Sequence, residues 1–357
     1  MQKKIVKDRG SVYLGQYGWE VVSNTIQELN PSKVFVLTDT NTAKHCLPYF
    51  EACIDLDVAY EHISIPVGEI HKNISTCTQL WEQLSGLGAD RKSLLINLGG
   101  GVVTDLGGFV ACTYQRGIEF INIPTSLLAM VDAAVGGKNG VDLGSLKNQV
   151  GIIKNPHSVI VDIQFLETLS DEEFRSGMAE MIKHGLIHSE SYLKKVMNMT
   201  RNQKVDLEEV IWESVLIKNE VITQDPLEQG LRKTLNYGHT LGHAIESFCL
   251  QSSERQTLLH GEAIAIGMVL ANYISHKLFQ FPEGKLLEVA VFIRQRYEKV
   301  SFSSTEIDEI IKLLIFDKKN SHGSIQFVLL EDIGIHKLNC KVPNAIIHEA
   351  FKFFNDF

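Results

Sequence analysis

Four short apolar runs in the first half of this chain end in glycine or a small polar residue: KVFVLTD (33–39), SLLINLGGG (93–101), FINIPTS (120–126) and SVIVD (158–162). Runs this short, rich in β-branched and aliphatic residues, read as strands buried on both faces. Helical patterns lie between several of them, and buried strands alternating with helices indicate a parallel α/β sheet. In such sheets ligands bind beyond the carboxyl ends of the strands. Glycine, threonine and aspartate collect at those ends here.

From about Leu169 the pattern changes. Ser170 with Glu173 three residues on forms a capping box, opening a helix through Met178, Glu180 and Lys183. Helical periodicity follows over 206–223, 231–248, 260–279 and 284–296, and a β-type segment, IQFVLL, returns at 325–330. We therefore expect an α/β domain over residues 1–169 and a mainly α-helical domain over 170–357. With 44% hydrophobic and 22% charged residues the chain can bury a sizeable core. Its net charge of −9 argues against a nucleic-acid surface, and no stretch approaches the ~20 apolar residues of a membrane span. The six cysteines are scattered without a CxxC pair, as expected of free thiols in a reducing cytoplasm.

The segment NLGGGVVTDLGGF (97–109) follows a strand and opens a helix. Three glycines let the backbone pass close to a ligand, and the helix N-terminus offers unpaired N–H groups to an anion such as a dinucleotide pyrophosphate. A tight strand-to-helix connection would use the same residues, and the turn alone does not separate the two readings. Asp39 at a neighbouring strand end suits ribose hydroxyls. Glu69 and Lys72 in VGEIHK, with Thr125 and Ser126 in IPTSLL, stand at further strand ends. Several such ends on one edge favour a dinucleotide cleft.

In LNYGHTLGHAIE (235–246), His239 and His243 share a helix face at i and i+4. A third histidine, His260, opens LHGEAIAIGM, and Glu180 lies in GMAEMIKHG one turn before Lys183. One carboxylate and two neutral imidazoles suit Zn²⁺ with a position left for substrate. Among thirteen histidines some pairs reach helical spacing by chance. Gly238, Gly242 and Gly261 beside the histidines favour the metal reading, since they let helices approach closely. A second cluster, VDAAVGGKNGVDLGSLKN (131–148), carries Asp132, Lys138, Lys147 and Asn148. Arg116, Lys218, Arg232, Asn236 and Lys318 in FDKKN add basic and amide groups suited to an anionic substrate.

Together GGGVVTDLGGF, CTYQRGIEFINIPTSLLAMVDAAVGGKNG, LKNQVG, FRSGMAEMIKHGLI, LNYGHTLGHAIE, LHGEAIAIGM and FDKKN resemble the 3-dehydroquinate synthases, sugar phosphate cyclases of the shikimate pathway. The resemblance runs from about residue 33 to 330. It implies a Rossmann-like N-terminal domain binding NAD, a helical C-terminal domain holding Zn²⁺ or Co²⁺, an active site in the cleft between them, and a cytoplasmic homodimer. The implied metal ligands are Glu180, His239 and His260, with His243 beside the substrate phosphate. Lys138, Lys183, Lys218, Arg232, Asn236, Asn148 and Lys318 would contact substrate, and Arg116 would reach a neighbouring subunit's phosphate site. Asp39, Glu69, Lys72, Gly100, Gly101, Val102, Asp105, Thr125, Ser126, Asp132, Lys138, Lys147, Phe165 and Thr168 would hold NAD. The implied activity is that of a lyase acting on the seven-carbon keto-acid phosphate DAHP. Its C5 hydroxyl is oxidised, phosphate is eliminated, the ketone is reduced again, and ring opening with aldol-type closure gives 3-dehydroquinate. Another sugar phosphate cyclase, or a metal-dependent polyol or glycerol-phosphate dehydrogenase, is the alternative. Many relatives carry glycine at Thr104, threonine at Asn139 and HPLG at 143–146, so these positions depart from the pattern.

Overall fold

The computed structural model describes residues 3–54, 59–144, 146–252, 254–314 and 325–357. The chain divides into two compact units between Ser170 and Asp171. The first contains β1 (Lys4–Ile5), β2 (Ser11–Leu14), β3 (Val34–Asp39), β4 (Tyr60–Ile65), β5 (Leu94–Gly99), β6 (Glu119–Pro124), a hairpin of β7 (Lys138–Leu143) and β8 (Leu146–Ile153), and β9 (Ser158–Val161).

Seven strands form one sheet in the order β1-β2-β9-β6-β5-β3-β4. Every neighbouring pair is parallel except β1 with β2. All of β5 is buried, as expected for a strand covered on both faces. Phe35, Leu37, Leu95 and Phe120 pack with Val103, Leu106 and Val110 of the helix Gly101–Thr113. That helix lies close to the sheet because Gly107 has no side chain: a Cβ there would sit 2.0 Å from Asn97 Oδ1. The chain steps from β3 to β4 on one side and then returns to place β5 on the other. The strand order therefore reverses between β3 and β5, the position at which open α/β sheets leave a crevice.

The second unit is mainly helical. The helix His260–Phe279 is buried nearly all round, and it packs against the helices Asp171–His188, His239–Gln251, Glu283–Arg296 and Asn344–Asp356. A two-stranded sheet, β10 (Phe327–Asp332) with β11 (Ile335–Cys340), lies in the same unit. No helix among the described residues is long and apolar enough to cross a membrane.

One expected element is corrected. Residues 231–248 do not form one helix: a 3₁₀ segment, Leu231–Asn236, is followed by Gly238 at φ 75°, and the α-helix starts at His239. A left-handed residue cannot continue a right-handed helix, and glycine adopts that conformation without a steric penalty. The β-type segment near 325–330 is displaced by two residues and finds its partner in β11 through a turn at Gly334, φ 77°.

Candidate active site

At the carboxyl edge of the first unit's sheet, β9, β6, β5 and β3 are consecutive neighbours, so their ends lie side by side. Asp39 closes β3, and its Oδ1 accepts the backbone N–H groups of Asn41 and Thr42, each at 2.8 Å. Gly100 caps the next helix, and Gly101 and Val102 form its first turn, partly exposed. The loop after β6 is tied to this turn by Thr125 N–H donating to the Gly99 carbonyl at 3.0 Å. Ser126 lies so close that a Cβ on Gly100 would meet its Oγ at 3.3 Å. Phe165 and Thr168 belong to the 3₁₀ segment Ile163–Thr168 after β9, and burial pushes the pKa of the Cys46 thiol, near Thr125 and Thr168, up to about 11.

Charged groups border the same turn. The buried Lys72 ammonium donates to Asp105 Oδ2 at 2.7 Å and Asn148 Oδ1 at 2.6 Å. Glu69 Oε1 lies 3.8 Å from Lys72 and 3.5 Å from Lys147. Burial alone would lower the Lys72 pKa; Asp105, Glu69 and Asp142 overcome it and hold the group above its ordinary value. Lys138 stands exposed at the start of β7. The next residue, Asn139, is buried and donates to the Gly137 carbonyl at 3.0 Å and the Lys154 carbonyl at 2.8 Å. Its side chain occupies the space left by Gly108, where a Cβ would lie 2.0 Å from Asn139 Oδ1. Thr104 turns its hydroxyl back to the Gly100 and Gly101 carbonyls. Both departures from the family pattern thus have structural work beside the turn and the lysine. Asp132 sits in a π-helical turn, Ala129–Ala133, after β6. Arg116 is not at this edge. It is exposed at φ 72°, past the far end of the helix that Gly100 caps.

In the second unit three side chains from three helices converge. Glu180 Oε1 lies 3.4 Å from His239 Nε2 and 3.4 Å from His260 Nε2. Two ligands each about 2.0–2.1 Å from a tetrahedral ion sit about 3.4 Å apart. The atom is buried and accepts no hydrogen bond among the described residues, whereas Glu180 Oε2 pairs with Lys183. His239 Nδ1 faces the Tyr237 carbonyl at 3.0 Å, which fixes the tautomer that leaves Nε2 as an acceptor. A carboxylate oxygen and imidazole acceptors aimed at one point repel one another unless a cation lies among them. The donor set therefore fits a divalent ion of the zinc type.

Without an ion the same cluster favours an ionised Glu180 and a protonated His260, the cation that a metal would replace. Burial would raise the Glu180 pKa, yet Lys183, His239 and His260 hold it well below the usual carboxylate range. Burial opposes a charged His260, but Glu246 and Glu180 overcome it and push the pKa up to about 9. His243 also lies here, its ring centroid 5.1 Å from His239 and 5.7 Å from His260, and His239, His243 and His260 form a second possible ligand trio.

The convergence depends on missing side chains. A Cβ on Gly261 would fall 2.0 Å from the Ser176 carbonyl oxygen, and Gly261 N–H donates to Ser176 Oγ at 3.0 Å. The start of the His260 helix thereby docks one turn before Glu180. Gly242 and Gly267 do the same between the two histidine helices, where a Cβ on Gly267 would lie 2.1 Å from the Gly238 carbonyl oxygen.

Lys183, Lys218 and Arg232 are buried, at 1%, 6% and 2% exposure. The 3₁₀ segment bearing Arg232 and Asn236 packs against the helices of Lys218 and Lys183. Arg232 Nη1 donates to the Pro226 carbonyl at 2.8 Å, and Asn236 Nδ2 to Glu228 Oε1 at 2.7 Å. Lys318 lies outside the described residues. Glu246, 3.3 Å from His260 Nδ1, was missed from the sequence although it closes the LNYGHTLGHAIE stretch; its position seven residues after His239, on the same helix face, was the available signal.

Comparison with known proteins accounts for both units. Family models for the N-terminal and C-terminal parts of 3-dehydroquinate synthase match residues 62–176 and 177–320. The 3-dehydroquinate synthase of Parabacteroides distasonis is 43% identical over 93% of this chain and 94% of its own length. That of a Sulfurovum species is 37% identical over 91% of both. Among solved structures, 2-deoxy-scyllo-inosose synthase complexed with carbaglucose-6-phosphate, NAD⁺ and Co²⁺ superposes with a TM-score of 0.83 at 26% identity, covering 99% of this chain and 100% of that one. The 2-epi-5-epi-valiolone synthase of Streptomyces hygroscopicus, at 23% identity and a TM-score of 0.83 over 99% and 98% of the two chains, shares the fold. Matched across both units and along nearly its whole length, the chain belongs to the 3-dehydroquinate synthase family.

Proposed function

We propose that this chain is a 3-dehydroquinate synthase, using NAD and a divalent metal ion to convert DAHP into 3-dehydroquinate and phosphate. The observation that carries the metal part is Glu180 Oε1, buried without a hydrogen bond and 3.4 Å from both imidazole Nε2 atoms. Glu180, His239 and His260 would hold the ion. The turn at Gly100–Val102, with Asp39, Glu69, Lys72, Asp105, Thr125, Ser126, Asp132, Lys147, Phe165 and Thr168 around it, would hold NAD. When bound, the ion supplies a Lewis acid and NAD a reversible hydride acceptor.

The remaining roles belong to side chains. Lys183 neutralises Glu180 through Oε2, which leaves Oε1 for the ion. Lys218 and Arg232, with Lys138, Lys318, Asn148 and Asn236, bind and orient the phosphate and carboxylate of the substrate; buried cations act strongly on charge that develops beside them. His243 donates a hydrogen bond to the departing phosphate, whose own oxygens can take the proton in the elimination. Arg116, placed away from the strand ends, serves the phosphate site of a second copy in a homodimer. The protein works in the cytoplasm.

The test is incubation with DAHP, the metal and a catalytic amount of NAD, following released phosphate, the carbocyclic product and absorbance at 340 nm. Stoichiometric phosphate and 3-dehydroquinate without accumulating NADH are expected. Net NADH would assign a dehydrogenase instead, and turnover of another sugar phosphate in preference to DAHP would assign a different cyclase.

A further inference from the structure

We propose that Glu246 is a positioning residue of the metal centre: it orients His260 through Nδ1 and raises the basicity of the nitrogen that meets the ion. The inference rests on the reading that Glu180, His239 and His260 hold a divalent cation.

Each imidazole needs its Nδ1 fixed if Nε2 is to point at Glu180. For His239 a neutral group does this, the Tyr237 carbonyl at 3.0 Å. Tyr237 is itself anchored by its hydroxyl, which donates to Asn272 Oδ1 at 2.5 Å. For His260 the partner is a carboxylate, Glu246 Oε2 at 3.3 Å. The two imidazoles also differ in freedom. The His239 side chain is 9% exposed, but that of His260, the first residue of its helix, is 27% exposed. The stronger partner thus stands where packing restrains the ring least.

Glu246 Oε2 meets the His260 imidazole at Nδ1. With its side chain only 6% exposed, a carboxylate is costly to keep charged unless it is paired. An imidazole polarised by a bound cation is a suitable partner, because it shares its Nδ1–H more strongly. Carboxylate–histidine–metal arrangements of this kind tune affinity, and removing the outer group typically costs 10–100-fold. Glu246 follows His239 by two helical turns on one face. One helix therefore carries both a ligand and the group that orients the ligand contributed by another helix.

The test uses metal-free protein titrated with Co²⁺, followed by visible absorption and by competition with a chelator. Glu246→Gln is expected to raise the Co²⁺ dissociation constant roughly 10–100-fold. The circular dichroism and thermal midpoint of the metal-free protein should stay those of the wild type, and at saturating Co²⁺ the two spectra should converge. A dissociation constant within about threefold of wild type overturns the proposal. If Glu246→Gln does not fold, Glu246→Asp decides: it keeps the charge but shortens the reach, so unchanged affinity there overturns the positioning role. Failure of the wild-type protein to bind Co²⁺, or normal binding by His260→Ala, would instead overturn the metal assignment itself.

Discussion

At the carboxyl edge of the first unit's sheet, Gly100 and Gly101 open a helix at a turn that stays partly exposed. In the second unit Gly242, Gly261 and Gly267 remove side chains where helices cross, so that other side chains can meet. The first arrangement works through the main chain and tolerates many neighbours. The second works through side chains and depends on interhelical distances, since a Cβ on Gly261 would lie 2.0 Å from backbone but one on Gly100 would meet only the Ser126 hydroxyl at 3.3 Å. Glycine in a helix interior records how close the helix comes to its neighbour, a strand at Gly107 and another helix at Gly242 and Gly267.

Three substitutions test this contrast, the first with the largest expected effect. His260→Ala removes a ligand without adding bulk. The unfolding transition should remain close to wild type while the metal is lost and turnover falls about a thousandfold or more, since the Lewis acid is worth several kcal/mol; metal content and kcat together check it. Gly261→Ala adds one methyl where the Ser176 backbone must yield. A loss of about 3 kcal/mol in stability is expected from such overpacking, with weakened metal binding, readable as a lowered denaturation midpoint and a raised Co²⁺ dissociation constant. Gly100→Ala should leave stability and metal affinity unchanged, because its φ of −71° suits any residue. It should raise the KM for NAD roughly tenfold, about 1.4 kcal/mol. Equal loss of stability in the two glycine variants would remove the distinction.

Strand ends were legible because buried parallel strands are continuous apolar runs, and their observed limits differ from the sequence reading by only a residue or two. The break at Gly238 was not. Leu231–Asn236 has helical periodicity, and the left-handed step that follows sits where Gly238 packs against the His260 helix, a Cβ there falling 2.6 Å from Met268. Asn139 was visible as an unusual residue beside Lys138, but its bond to the Lys154 carbonyl crosses a hairpin that the local pattern did not announce. Lys72 was recognised as a strand-end cation; that Asp105 and Asn148 engage it depends on residues 33 and 76 positions away.

By itself the sequence determined the chemical inventory: glycines at a strand-to-helix turn, a histidine pair on one helix face, an acidic residue in one helix and a further imidazole at the start of another. These follow from local periodicity and from the intrinsic conformational freedom of each residue type. Tertiary structure alone decided that Glu180 Oε1 stands equidistant from two imidazole nitrogens, and that Glu246 sits behind one of them. Such distances are set where helices touch, and helix crossing depends on contacts between residues distant in the chain, which no local pattern encodes.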